Sequence, residues 1–193
     1  KFGLTRATGN DTITFIDKLT NDGFSRQVTT KANDYLKTLV VEDSMVKKYT
    51  ASVNSVHYFS TLPYGLNDKA VNKTLLGEEK IKEHNYYKIK VTFSQDGGGE
   101  DYEDVFVYWI NKQSFKVDYL AYSYNEEDGV GMRFREAYNE RYITRLRFVD
   151  YNNYKTEDTT IQLYKLGKAF ENNQLKLLSK IELKNVKVVL IDN

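Results

Sequence analysis

The chain has 193 residues, 40% hydrophobic and 14% aromatic, which is enough to bury one substantial core. Its formal net charge of +1 gives no overall pull toward nucleic acid or an anionic membrane. No apolar run approaches the roughly 18 residues of a bilayer-spanning helix, and the absence of cysteine excludes disulfides, thiolate catalysis and cysteine-ligated zinc.

Near the N-terminus, TITFIDKL (12–19), FSRQVTT (24–30) and YLKTLVV (35–41) are rich in β-branched and aromatic residues and predict three strands. The stretch 42–66 changes period: Met45, Val46, Tyr49, Val53, Val56 and Phe59 or Ser60 recur at spacings of three and four, the stripe of an amphipathic helix. Asp43 or Ser44 is expected to cap it, and Pro63 to end it. YYKIKVTF (86–93) alternates, with Tyr87, Ile89, Val91 and Phe93 on one face and Lys88, Lys90 and Thr92 on the other. DVFVYWI (104–110), with the only tryptophan, is apolar at every second and every intervening position, which predicts a strand covered on both faces or lining a cleft. FKVDYLAYSY (115–124), MRFREAY (132–138) and YITRLRFVDYNNY (142–154) continue an antiparallel meander through short polar turns. A short helix is predicted over 162–171, and one or two strands over 175–191.

Sixteen tyrosines against one proline suit continuous sheet, because tyrosine packs on a pleated surface while its hydroxyl reaches water. The fold class expected is mainly β with helices (α+β): a curved antiparallel sheet, or open half-barrel, with the long helix packed on its concave face. One domain over 1–193 is expected.

QDGGGEDYED (95–104) poses the sharpest question about chemistry. A phosphate loop needs a lysine and a Ser/Thr after its glycines, leading into a helix, whereas these glycines lead into a strand among carboxylates. Asp96, Glu100, Asp101 and Asp104 are hard oxygen ligands that could take calcium, though the spacing is not that of an EF-hand and a solvated turn fits better. His57 reads as half-buried in the helix and His84 as exposed, so no two-histidine metal site is expected. Alternation sets Arg133 and Arg135 on one face, with Arg145 and Arg147 beside them on the next strand; cross-strand pairing with carboxylates is favoured over an anion site. Glu136, Glu140 and Asp150 are the available acid–base groups, but no nucleophile has an evident base. The aromatic surplus is the most informative feature. Tyr58, Phe59, Trp109, Tyr119, Tyr122, Phe134 and Tyr138 are the candidate residues for a hydrophobic ligand held between sheet and helix. Exposed tyrosines could instead form an interface.

SVHYFSTLPYGLNDKAVNK (55–73), VTFSQDGGGEDYEDVFVYWINKQSFKVDYLAYSY (91–124), GMRFREAYNERYITRLRFVDYNNYK (131–155) and LLSKIELKNV (177–186) together resemble an uncharacterised family of Bacteroidota envelope proteins, predicted lipoproteins or periplasmic proteins. The resemblance runs from about residue 12 to the end. It implies the fold of the outer-membrane lipoprotein carriers, an open half-barrel closed by helices over a hydrophobic cavity. Residues 1–193 are then expected to lack the N-terminal helix and first strands usual in that family. The aromatic surplus and the two-sided apolar strand 104–110, set in that fold, point to a non-enzymatic envelope protein that binds a lipid-like ligand without a cofactor. The alternative is an interaction subunit of an outer-membrane complex or a glycan-binding accessory protein. Triplets resembling the O-glycosylation pattern of these bacteria occur at 11–13, 43–45 and 158–160, and Thr12 and Thr159 are the better acceptors because a sugar at 43–45 would compete with helix capping.

Overall fold

The computed structural model describes residues 3–98, 102–126 and 129–189. The chain divides into two compact units, Lys1–Thr61 and Leu62–Asn193.

The first unit is a four-stranded antiparallel meander, β1 (Gly3–Gly9), β2 (Ile13–Thr20), β3 (Gly23–Thr30) and β4 (Asn33–Leu39), followed by helix α1 (Asp43–Ser60). α1 packs on β1 and β2. Its docking centres on Asp17, which is fully buried on β2. Arg26 of β3 grips Asp17 through two hydrogen bonds of 2.6 and 2.9 Å, and Arg6 of β1 adds a third at 2.8 Å. The register makes this possible, because Asp17 lies directly opposite both arginines. Arg6 also donates to Ser52 of α1, and the Arg26 guanidinium lies 3.4 Å from the Tyr49 ring centre. One buried carboxylate therefore orients two arginines, and each arginine carries a contact to the helix.

The second unit is a seven-stranded antiparallel sheet in the order β11-β10-β9-β8-β7-β6-β5. Its strands are β5 (Val71–Ile81), β6 (His84–Phe93), β7 (Val105–Asn111), β8 (Val117–Glu126), β9 (Gly129–Ile143), β10 (Leu146–Lys155) and β11 (Lys176–Ile181). Between β10 and β11 the chain makes a 3₁₀ turn, Leu163–Lys165, and the short helix α2 (Leu166–Glu171), which lie over one sheet face. Trp109, Tyr119, Phe134, Ile81, Tyr86, Val107, Ala121 and Leu166 form the core there, with Phe170 of α2 stacked 4.9 Å from Phe134. Val91, Tyr108 and Leu120 on the opposite face are buried as well, so β7 is covered on both sides, as its two-sided apolar run predicts.

The molecule is thus mainly antiparallel β. Among the described residues there are eleven strands in two sheets, and β5 and β11 are unjoined edges, so no barrel closes. A long helix on the concave face of one curved sheet is not what forms. The N-terminal strands complete a meander of their own immediately before α1, and α1 packs on β1 and β2 of that meander. Glu42, rather than Asp43 or Ser44, holds the N-cap position, without a side-chain capping bond. α1 ends at Ser60, before Pro63.

Candidate functional site

In the second unit, the face beneath α2 carries two clefts on either side of the aromatic core. The first, of about 440 Å³, is walled by Leu76, Val105, Val107, Met132 and Leu163. Lys90, Ser123, Gln162 and Tyr164 complete it. The register explains why these meet. Val105 lies opposite Ser123 and Ser123 opposite Met132, while Val107 lies opposite Lys90, so four adjacent strands present small or flexible side chains at the same level. Trp109, Tyr119 and Phe134, further along the same strands, fill the equivalent space with rings. The cleft is where the core's side chains become too small to reach the 3₁₀ turn.

Two glycines shape this region. β5 carries a bulge between Leu75 and Gly77, with Gly77 at φ +110°, which favours glycine. The extra residue, Leu76, lines the cleft. Gly167 of α2 lies so close to the indole that a Cβ there would stand 2.8 Å from a ring carbon of Trp109. That approach brings the turn down onto the sheet. The indole N–H donates to Glu79 at 3.0 Å, and Lys88 holds the same carboxylate at 2.8 Å. Lys88 and Lys90 alternate with apolar residues and read from sequence as a solvent face. Instead Lys88 is tucked against Glu79, with only 15% of its side chain exposed.

The second cleft, of about 280 Å³, is polar and lies beside Lys82, Glu136, Tyr154, Phe170 and Asn173. Glu136 accepts from Lys82 at 2.7 Å, Asn152 at 3.1 Å and the Tyr154 hydroxyl at 3.1 Å. Burial works against its ionisation, but these donors outweigh it and hold the carboxyl below its ordinary range. An ionised carboxylate with both oxygens engaged is no proton donor, and Tyr154, pushed by burial up to about 12, keeps its proton. Glu140 is lowered to about 2, first by Lys116 and then by Arg147. Burial opposes ionisation of Asp150, yet hydrogen bonds from the Leu183 N–H, Asn139 and Arg141 keep it low. All three carboxylates are anchoring groups of the sheet.

The seven aromatic candidates separate. Trp109, Tyr119 and Phe134 come together in the core under α2. Tyr122 lies on the opposite face, where its hydroxyl accepts from Arg135 at 2.9 Å. Tyr138 is half-buried and donates to Glu182 at 3.4 Å. Tyr58 and Phe59 belong to α1, edge to face at 5.3 Å. None of the seven lines the apolar cleft. Its lining was missed because Lys90, Ser123 and Gln162 are ordinary surface types; the one usable signal was the interruption of alternation at Leu75-Leu76-Gly77.

Of the calcium candidates, Asp96 and Asp104 are described, while Glu100 and Asp101 lie outside the described residues. Among the described residues no group of three His, Asp or Glu could hold a metal. His57 is exposed, not half-buried, and His84 is exposed. The arginines do not cluster: Arg135 faces Asn153 whereas Arg147 faces Tyr142 and pairs with Glu140 and Asp118. Thr12 and Thr159 are both exposed, and Thr12 donates to Asn10 at 2.7 Å. Among the described residues, no helix is long and apolar enough to cross a membrane.

A family model described as a family of unknown function, DUF6503, matches residues 2–183. No curated protein matches the chain. Two solved structures show a faint likeness. One is a DUF1329 family protein from Desulfovibrio piger, at 10% identity and a TM-score of 0.38 over 79% of this chain and 69% of that one. The other is a domain described as an outer membrane lipoprotein-sorting protein from Vibrio parahaemolyticus, at 10% identity and a TM-score of 0.32 over 82% of this chain and 71% of that one. Likenesses this faint carry no argument about fold or function.

Proposed function

The chain belongs to the DUF6503 family, a family of unknown function, and from that footing we propose that it is a non-enzymatic envelope protein that binds a lipid-like ligand. The observation that carries this is the 440 Å³ apolar cleft beside the 3₁₀ turn. Its volume falls within the range of small-molecule pockets, and its walls are aliphatic with a few polar groups at the margin, the composition that buries an acyl chain and orients its head. The aromatic candidates serve this role indirectly: Trp109, Tyr119 and Phe134 are the packed wall from which the cleft continues, since Val107 belongs to both. Thr12 and Thr159 are proposed glycan acceptors, on exposed turns where a sugar displaces no packing.

Native mass spectrometry of protein purified from its own membrane, before and after organic extraction, tests the proposal. A lipid-sized mass lost on extraction is expected. Val105→Phe with Ser123→Phe places two rings directly opposite one another on the cleft floor, a favoured cross-strand pair that fills the space and should abolish that mass without unfolding the sheet. A bare protein mass in every preparation would sink the reading. Retention within a larger assembly would instead favour an interaction subunit. That second reading is supported by exposed Phe115 and Tyr142, which flank Lys116, its ammonium 5.5 Å from the Tyr142 ring centre.

A further inference from the structure

We infer that the ligand of the apolar cleft is a single-chain anionic amphiphile, a long-chain carboxylate, whose head pairs with Lys90. This rests on the cleft reading above and adds the chemical class. Among the described residues, Lys90 is the only charged side chain lining the cleft. It lies on β6 between Thr74 and Val107, which offer it no charge, and among the described residues it forms no ion pair.

The contrast with its neighbour two residues along is informative. Lys88, on the same face of the same strand, is held by Glu79 at 2.8 Å, and that carboxylate is also anchored by Trp109. The sheet therefore neutralises the lysine that lies beneath the packed core. It leaves uncompensated the one at the open end, where the aliphatic walls of Leu76, Val105, Val107 and Met132 begin. A lysine in that position lays its methylenes along apolar surface and keeps its ammonium at the mouth. A carboxylate on an acyl chain buried in the cleft would arrive there, partly shielded from water, where a charge-assisted pair is stronger than on an open surface. Phosphate diesters with two chains need more apolar volume than one cleft of this size offers. Of the other polar groups lining the cleft, Ser123 can donate to a carboxylate, whereas the Tyr164 hydroxyl is already turned to Gln162.

The experiment is isothermal titration of the full chain with oleate and with methyl oleate, below the micelle threshold, for wild type, Lys90→Gln and the Val105→Phe/Ser123→Phe variant. Oleate is expected to bind about tenfold tighter than its ester, and Lys90→Gln should erase that difference by weakening oleate alone. Lys90 is exposed, so the substitution leaves the fold intact, which unchanged Trp109 fluorescence would verify. Equal binding of acid and ester, untouched by Lys90→Gln but lost in the cleft-filling variant, would overturn the anionic head while leaving the cleft reading standing. If neither compound bound, or the filled variant bound both unchanged, both readings would fall together.

Discussion

Gly167 and Trp109 show how much one side chain can decide. The indole is fully buried and tied by its N–H to Glu79, so it cannot retreat from an added methyl group. Gly167→Ala would gain up to about 1 kcal/mol of helix propensity, yet place a carbon 2.8 Å from the ring. Overpacking of this kind costs about 1–3 kcal/mol. A net loss of roughly 1–2 kcal/mol is expected, read as a lower urea midpoint with unchanged slope. At this scale the sequence was partly legible. The burial of Trp109 could be read from its two-sided apolar strand. The fates of Lys88 and Lys90 could not, because alternation assigns a face but does not reveal whether a second layer covers it.

Among the elements, the strands with regular alternation or continuous apolar runs were legible in sequence, as were both helices. β1 was not, being bounded by glycines and carrying Leu4 as its one large apolar residue, and neither was β5, whose bulge and charges blur the period. β9 also runs as a single strand through the polar Asn139-Glu140-Arg141. Such a segment reads as a turn, but here it is a bulge: Tyr138 and Arg141 on either side pair with β10, and Asn139 takes up the irregularity at φ +50°. The docking of α1 depends on Asp17. Burial opposes ionisation of Asp17, and the hydrogen bonds and charges of Arg26 and Arg6 outweigh that, so its pKa is below the ordinary value. A carboxyl depressed in the folded state contributes stability fully above its unfolded value of about 4, and that contribution is lost as pH falls through the folded value. Helical far-UV signal should therefore become easier to melt below about pH 4. Asp17→Asn should cost about 3 kcal/mol at neutral pH, because it leaves two guanidinium groups facing a neutral amide, and should flatten the acid dependence. A thermal melt series from pH 7 to pH 3 checks both; an unchanged melting temperature for Asp17→Asn at pH 7 would refute the claim.

For the whole molecule, sequence reading gave the antiparallel β class and membership of a family of unknown function, while the division into two sheets escaped it, since Pro63 and Gly65 beside Thr61–Leu62 read as the end of a helix and not as a boundary. That division makes Trp109 a reporter of one unit. Glu79, Lys88, Phe134 and Gly167, which surround it, all fall within Leu62–Asn193. Trp109 emission should be blue-shifted and identical in wild type and Asp17→Asn at neutral pH and 25 °C; a red shift in the variant would show that the indole senses the first unit. The strand order carries a further consequence, for the time course of synthesis. Every strand of both sheets pairs with its neighbour in sequence, so each hairpin can close as soon as its second strand leaves the ribosome. The α2 segment is the exception. Glu171 reaches back across 89 positions to the backbone of Lys82, a closure available only when most of the chain has emerged. A nascent chain thus holds a nearly finished sheet whose Trp109 face is still bare, and the cleft is among the last features to exist.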